Sequence, residues 1–232
     1  MKKVGIIGAM ELEVAELQGK MQITRTEEKA SMKFLEGTLN GTDVVIVQSG
    51  IGKVNAALCT QILCDVFGVT HIINTGVAGS LKNEINIGDI VVSTDALHHD
   101  VDVRVFGYPL GEVPQMGCLA FPADEKLTSL AVECCKEVNK DISVYSGRIV
   151  SGDQFISDKQ VKENIISNFG GFCVEMEGAS IAHAAYLNKV PFVIIRAISD
   201  KADDSAQMDY PTFEKAAAAH SAALVEHMLP MI

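Results

Sequence analysis

The sequence predicts a single α/β domain over residues 1–232, built on a mixed, largely parallel central sheet flanked by helices. Apolar runs of strand length alternate along the chain with segments of helical spacing. This order favours a sheet of mostly parallel strands whose two faces are both covered. No repeat, linker or low-complexity tract divides the chain, and its 232 residues suit one domain with a sizeable core.

The first half of the chain predicts a strand, a helix and a hairpin, followed by a second helix and two strands. In order, these are a strand over residues 4–9, a helix over 11–17, a hairpin over 34–48, a helix over 52–67 and strands over 71–75 and 88–94. Asn40-Gly41 is the predicted hairpin turn, and Glu11 and Glu13 stand in a first helical turn, where the helix dipole favours acids. Residues 95–122 are expected to be irregular, and loops of this length are usually functional or interfacial.

The second half predicts further alternation of helices and strands. Helices are predicted over residues 124–139, 159–169, 176–188 and 211–229, with strands over 143–150, 172–175 and 190–198. In open α/β sheets, ligands bind beyond the carboxyl ends of the strands. The segments at those ends are rich in glycines and carboxylates: residues 8–13, 49–52, 75–79, 151–153, 175–177 and 199–200.

Composition excludes several classes of partner. The formal net charge of −11, without a Lys/Arg cluster, disfavours nucleic acid and anionic membranes. The six cysteines form no C-x-x-C pair, which argues against a zinc or disulfide framework. Most of them lie in apolar runs, where a reduced Cys behaves as a small hydrophobe, and this favours a reducing compartment. The first apolar stretch runs directly into acidic residues without a cleavage site, and no apolar run is long enough to span a membrane. We therefore expect a soluble, cytoplasmic protein.

Two motif-like segments match no known site. Residues 49–53 lack the Gly and Ser/Thr positions of a P-loop and the third small residue of a dinucleotide fingerprint, so their glycines indicate a tight strand-to-helix turn. His98, His99 and Asp100 are metal-ligand types, but adjacent histidines of an extended chain point to opposite faces and no second cluster completes a coordination sphere.

Three acids near strand ends are candidates for chemistry. Glu13, Glu177 and Asp200 each have a structural alternative: an exposed helix acid, a partner for a helix dipole, and a cap or loop acid. Spacing alone does not separate Asp200 from Asp203 or Asp204. Arg196 lies inside the apolar run 193–198, and a charge in such a run needs a carboxylate partner.

At these residues the sequence resembles the 5′-methylthioadenosine/S-adenosylhomocysteine nucleosidases of the purine nucleoside phosphorylase superfamily. The resemblance covers essentially the whole chain and implies a nucleoside phosphorylase-like fold. Its blocks, specific because all occur in order, are GIIGAMELE (5–13), SGIGKVNAA (49–57), INTGVAG (73–79), GDIVVS (88–93), SGDQFI (151–156), VEMEGASIAH (174–183) and RAISD (196–200).

The resemblance implies roles for the polar residues. Glu13 resembles the base that activates water, Asp200 the acid that protonates adenine, and Glu177, with the Met176 backbone, the group that holds the ribose hydroxyls. Arg196 looks like the residue that orients the carboxylates and the water. Three carboxylates suit this chemistry, because adenine must be protonated to leave, the oxocarbenium-like sugar needs a nearby anion, and water needs a base.

The resemblance also implies a substrate pocket that two subunits share. Phe155 matches an aromatic that stacks on adenine, and Ile156 a residue whose backbone reads the base edge. Met10, Ile51 and Tyr210 would line the 5′ pocket, which Val103 and Phe106 would enter from the second subunit of a homodimer. Ala9, Gly79, Glu175 and Ser199 complete the implied substrate-binding set. Val77 stands where the family commonly carries Ser, and Tyr210 where Phe is frequent.

The implied activity is hydrolysis of methylthioadenosine and S-adenosylhomocysteine, with 5′-deoxyadenosine as a further candidate, and no metal or organic cofactor is implied. Three alternatives remain open. They are phosphorolysis of a purine nucleoside, hydrolysis of a futalosine-type nucleoside, and a non-catalytic nucleoside-binding protein. The third predicts loss of at least one of Glu13, Glu177 and Asp200, all of which are present.

Overall fold

The computed structural model describes residues 2–232. Its ten strands are β1 Lys3–Gly8, β2 Gln22–Lys29, β3 Met32–Leu39, β4 Thr42–Gln48, β5 His71–Ser80, β6 Ile90–His98, β7 Phe121–Pro122, β8 Val144–Ser151, β9 Cys173–Glu175 and β10 Phe192–Asp200. The six α-helices are α1 Glu11–Lys20, α2 Lys53–Asp65, α3 Glu125–Val138, α4 Lys159–Phe169, α5 Gly178–Asn188 and α6 Ala206–Met228.

All ten strands belong to one mixed sheet, in the order β10-β6-β8-β9-β5-β1-β4-β3-β2, with β7 on β6. The pairings of β1 with β4 and β5, of β5 with β10, and of β8 with β6 and β9 are parallel. Because β10 also pairs with β5, five of the strands close into a ring. The pairings of β9 with β5 and of β6 with β10 are antiparallel, so β6, β8 and β9 run opposite to β1, β5 and β10. Residues at or near the carboxyl ends of β1, β5, β9 and β10 nevertheless line one cavity, which is the convergence that the sequence predicted.

Helices cover both faces of the sheet. On one face, apolar residues of α1, α3 and α6 pack against alternate strand residues such as Val4 and Ile6. On the other face, α2 and α5 pack against the intervening residues, including Ile7. Burial on both faces explains the continuous apolar runs of the central strands. Within residues 2–232, no helix combines the length and the apolar character needed to cross a membrane.

The sequence prediction missed two strands, β2 and the short β7, and misplaced some boundaries. Strand β2 was not predicted; it is an exposed, charged edge strand that lacks an apolar face. Helix α6 begins at Ala206, before Pro211, and not at Pro211 as predicted. Strand β6 continues to His98, and a 3-10 turn over Arg104–Phe106 and the short β7 interrupt the expected irregular segment.

Gly19 and Gly41 both have room for a Cβ, but only Gly41 has a positive φ. The turn residues Asn40 and Gly41 both have positive φ, 50° and 79°, as a type I′ turn requires. Gly19 lies in helix α1 without positive φ, and a Cβ added there meets nothing within 4 Å.

We predict that Gly19→Ala raises the free energy of unfolding by about 0.5–1 kcal/mol, because Ala loses less backbone entropy in a helix. Gly41→Ala is the matched control, since its added methyl also meets nothing within 4 Å but its φ is +79°. We expect Gly41→Ala to lower the free energy of unfolding, measured for both variants by urea denaturation. Changes of the same sign in both variants would contradict this account.

Candidate active site

A cavity of about 360 Å³ opens at the carboxyl edge of the sheet. It brings together residues that are distant in sequence, at the end of β1, in β5 and at the ends of β9 and β10. Its lining comprises Ala9, Met10, Glu13, Ile51, Val77, Ala78, Gly79, Phe155, Val174, Glu175, Met176, Glu177, Ser199, Asp200 and Tyr210. All of these residues except Val77, Ala78 and Val174 belong to the site that the sequence predicted.

Arg196 lies fully buried behind the cavity, where its guanidinium meets three carboxylates. Its Nη2 donates to Glu175 and lies 3.6 Å from Glu177 Oε2, and its Nη1 lies 3.8 Å from Glu13 Oε1. Nη2 also donates to Asn74 Oδ1 at 2.6 Å. The carboxylate partner that the sequence required for Arg196 is thus present three times over.

Glu13 is buried and accepts three backbone hydrogen bonds. The N–H groups of Ala9 and Met10 donate to Oε2 at 2.6 and 2.9 Å, and that of Val77 donates to Oε1 at 3.0 Å. The alternative of an exposed helix acid is therefore wrong. Burial raises the pKa of Glu13 above its ordinary value, although Arg196 and these N–H groups act in the opposite direction. A carboxylate so placed can accept a proton.

Glu175 is the structural centre of the acidic group. It accepts hydrogen bonds from the Ser151 hydroxyl and from the N–H groups of Glu177 and Gly178, the last two at 3.1 and 2.7 Å. With Arg196 as a further donor, its oxygens are fully occupied by the protein. Glu175 therefore fixes the turn between β9 and α5, on which Glu177 stands.

Glu177 precedes helix α5 and reaches across to the turn after β4. Its Oε1 accepts the N–H of Gly52 at 2.8 Å, and Gly52 adopts φ +98°, which favours glycine. The glycines of this turn thus serve the chain geometry, as predicted. Burial, with Glu175 nearby, raises the pKa of Glu177 to about 7.

Asp200 ends β10 with its carboxylate in the cavity. The Ala202 N–H donates to Oδ1 at 2.7 Å, and the Ser199 hydroxyl donates to Oδ2 at 2.9 Å. Burial raises the pKa of Asp200 above its ordinary value in spite of these bonds. Asp203, which sequence spacing did not separate from Asp200, lies outside the cavity lining and bonds with Ser205.

The opposite wall of the cavity is apolar and aromatic. The Phe155 and Tyr210 rings meet edge to face, with centroids 5.7 Å apart and planes at 81°. The Tyr210 hydroxyl contacts Met10 Sδ at 3.2 Å. Ile51 completes this wall, and Ile156 lines a small adjoining cavity next to Phe155. A planar ring beside Phe155 would lie close to the Asp200 carboxyl.

Val103 and Phe106 are placed outside the cavity of their own chain, and Phe106 is 76% exposed. Lys53 pairs with Asp100 across 2.7 Å, so its charge is already balanced. Within residues 2–232, no group of three or more His, Cys, Asp and Glu side chains is arranged to hold a metal ion, the 98–100 segment included.

Sequence reasoning missed two buried polar residues of the site. Asn74 accepts from Arg196 and donates to the Ile7 carbonyl at 2.9 Å, which links β10 to β1. Ser151 donates to Glu175 and accepts the Ala179 N–H at 2.7 Å. A signal was available for Asn74, since a polar amide in the apolar run 71–75 needs buried partners just as Arg196 does.

The fold and its buried acidic cavity define the class of protein. Residues 3–230 match the family described as the phosphorylase superfamily. The chain is 42% identical over 231 residues to a 5′-methylthioadenosine/S-adenosylhomocysteine nucleosidase of Bacillus velezensis, with 99% of both chains covered. The chain belongs to this nucleosidase family of the phosphorylase superfamily.

Two solved structures are similar over the full chain. The nucleosidase of Neisseria meningitidis, in complex with methylthio-immucillin-A, has a TM-score of 0.96 and 39% identity, with 100% of both chains covered. The futalosine hydrolase of Helicobacter pylori has a TM-score of 0.94 and 34% identity, covering 100% of this chain and 98% of that one. The nucleoside phosphorylase-like fold that the resemblance implied is confirmed.

The raised pKa of Glu177 predicts a pH-dependent cost in stability. The folded protein holds the Glu177 proton up to about pH 7, whereas the unfolded chain loses it near the ordinary glutamate pKa of 4.5. The contribution of Glu177 to the free energy of unfolding therefore falls as pH rises between these values. We expect the Tm of Glu177→Gln to rise relative to wild type from pH 5 to pH 7.5.

Thermal denaturation of both proteins across this range measures the effect. Glu133→Gln, which alters an exposed acid of helix α3, serves as the control, and its Tm difference from wild type should stay constant. A pH-independent difference for Glu177→Gln would show that burial does not disfavour its ionised form.

Proposed function

We propose that this protein hydrolyses the N-glycosidic bond of 5′-methylthioadenosine and S-adenosylhomocysteine, with 5′-deoxyadenosine as a further substrate, and releases adenine and the 5-substituted ribose. The observation that carries the proposal is three carboxyl groups in three environments around one cavity. The names of its relatives support it, because the Bacillus velezensis protein is a nucleosidase for these two compounds.

Asp200 is the proposed acid. Adenine leaves poorly as an anion, so a proton must reach its ring as the glycosidic bond breaks. Burial favours the protonated form of Asp200, and the Ala202 N–H and Ser199 hydroxyl fix the orientation of its carboxyl group. Phe155 would stack on the base, and the segment at Ile156 would read its edge.

Glu13 and Glu177 are proposed to act on the water and the sugar. Glu13 takes the proton of the attacking water, a contribution of typically about 10²–10⁴-fold. Glu177, with the Met176 backbone, binds the ribose hydroxyls and stabilises the positive charge that develops on the sugar ring. Arg196 holds both carboxylates in place from behind. The wall of Met10, Ile51 and Tyr210 would receive the 5′ group.

The charge of the cavity supports water as the nucleophile. Among the described residues that line it, none is Lys, Arg or His, whereas three are Glu and one is Asp. A phosphate dianion would need cationic or N–H donors there. Arg196 is the nearest guanidinium, and its charge already meets Glu13, Glu175 and Glu177. The site therefore favours hydrolysis over phosphorolysis.

We predict that the purified protein converts methylthioadenosine to adenine and free 5-methylthioribose at the same rate with and without phosphate. Chromatography of both products, across a phosphate titration, measures this. A rate that rises in proportion to phosphate, with a sugar 1-phosphate as product, would establish the phosphorylase alternative. Assaying a futalosine-type nucleoside in parallel tests the alternative that the Helicobacter pylori neighbour represents.

Asp200→Asn tests whether Asp200 donates the proton to adenine. It should lose roughly 10²–10⁴-fold in kcat yet still bind the nucleoside, because the acid acts mainly in the transition state. Near-normal turnover of Asp200→Asn would show that Asp200 is not the proton donor. If wild type bound the nucleoside but did not turn it over, a non-catalytic nucleoside-binding protein would be favoured.

We infer that the active form is a homodimer whose partner completes the 5′ pocket through Val103 and Phe106. Helices α2 and α5 form a groove lined in part by the exposed Val54 and Leu187, and Ile51 is exposed at the rim of the cavity. The segment that carries Phe106 starts beside α2, where Asp100 pairs with Lys53. A second copy would cover this continuous apolar surface.

We predict that Leu187→Glu converts a dimer to a monomer and reduces activity at least about tenfold, because a charge in an apolar interface is not solvated. Ile23→Glu is the control, since Ile23 is similarly exposed but lies on the edge strand β2. Sedimentation velocity and activity are compared at the same concentration. A fully active monomer would rule out a shared site.

We also propose a cytoplasmic location. All six cysteines are free, and four of them are buried as small apolar side chains. This use of cysteine suits a reducing compartment.

A further inference from the structure

A buried lysine lies directly behind the segment that carries Asp200. Lys162 projects from helix α4, and its side chain is only 9% exposed. Its Nζ donates to the main-chain carbonyl of Lys201 and lies 3.5 Å from Asp203 Oδ2. Neither partner lines the cavity, so Lys162 belongs to none of the roles described above. A buried ammonium is unfavourable unless it is paired, so this placement requires an explanation.

The turn that Lys162 holds determines where the Asp200 carboxylate lies. Ala202 has φ +52°, which is unfavourable for a residue with a Cβ, and its N–H donates to Asp200 Oδ1 at 2.7 Å. Across the sheet edge, a Cβ added to Gly79 would lie 2.8 Å from both Asp200 Oδ1 and Ala202 Cβ. The turn is therefore both closely packed and strained, and it keeps its shape only if its surroundings enforce it.

Two lysines contact this turn through main-chain carbonyls. The Lys201 Nζ donates to the carbonyls of Asn83 and Ile85. Lys162 holds the Lys201 carbonyl on the α4 side. Between them, Ala202 is buried in the same apolar cluster as Ile165 of α4.

We propose that Lys162 is a positioning residue for the reaction: it holds the 201–203 turn against helix α4 and balances Asp203, and so keeps the Asp200 carboxyl directed into the cavity. This inference rests on the proposed role of Asp200 as the acid. Lys162 touches neither substrate nor reacting atoms, and it acts only through the turn.

Lys162 also affects the charge around Asp200. The titratable or charged groups around Asp200 are Asp203, Asp209, the phenol of Tyr210, the ammonium groups of Lys162 and Lys201, and the carboxyl groups of Glu13, Glu175 and Glu177, which line the same cavity. Asp203 and Asp209 both raise the pKa of Asp200. Without Lys162, the charge of Asp203 would be less balanced and the pKa of Asp200 would rise further. Without the charge of Asp203, the pKa of Asp200 would fall.

The test compares Lys162→Met, Asp203→Asn and the control Lys159→Met with wild type, using methylthioadenosine as substrate. Lys159 is an exposed lysine of the same helix. We expect Lys162→Met to lower kcat roughly 10- to 100-fold with KM changed less than about threefold, because a small displacement of the acid affects mainly the transition state. Lys159→Met should match wild type.

The pH profile of kcat separates positioning from stability. Its alkaline limb, which follows loss of the Asp200 proton, should shift upward in Lys162→Met and downward in Asp203→Asn, each by roughly half a pH unit or more. If Lys162→Met folds and keeps the kcat and the alkaline limb of wild type, the proposal is overturned, even if the Tm of the variant is lower. If Lys162→Met does not fold, Asp203→Asn decides, and an unshifted limb overturns the proposal. Wild type that released no adenine would instead refute the proposed function.

Discussion

Arg196 carries a guanidinium in the middle of a buried apolar run, and its charge must be balanced within the protein because the side chain is fully buried. The carboxylates that balance it come from α1, from the end of β9 and from the turn before α5. Each of these elements thus contributes a carboxylate to the same buried guanidinium. The acidic site and the packing of the sheet edge therefore depend on one another.

The pairing of several carboxyl groups with the single Arg196 guanidinium leaves these groups with different environments. One guanidinium cannot fully compensate three buried carboxylates, so burial prevails at Glu13 and Glu177 and raises the pKa of each. Glu175 makes the closest contact with Arg196 and accepts several further hydrogen bonds, which fix the turn before α5. Asp200 lies away from the guanidinium, and its raised pKa is due first to burial. A site that must both donate and accept protons benefits from this difference.

Backbone N–H groups also orient the carboxyl groups of the cavity. Those of Ala9, Met10 and Val77 orient Glu13, that of Gly52 orients Glu177, and that of Ala202 orients Asp200. Because the backbone of Val77 supplies its contact, the Val side chain at this position leaves the orientation of Glu13 intact. Turns at the ends of strands thus act as rigid supports for the side chains of the cavity.

The sequence by itself determined the α/β class, most of the helices and strands, and the edge of the sheet where the site lies. Periodicity is a local property, and apolar runs such as 193–198 can be read without knowing what packs on them. The charge of Arg196 inside such a run also indicated that carboxylates would meet it. The resemblance of the sequence blocks named the residues that the cavity brings together.

Only the tertiary structure decided the rest. The exposed strand β2 has no apolar face to reveal it. Helix α6 begins at Ala206, before a proline that by itself is typical of a helix start. Sequence spacing did not separate Asp200 from Asp203, because the two differ in direction and burial rather than in type. The roles of Ser151 and Lys162 were likewise invisible, since each depends on partners from distant segments. Local pattern fixes which elements form, whereas the balance of buried charge, which sets the chemistry, exists only once those elements have packed together.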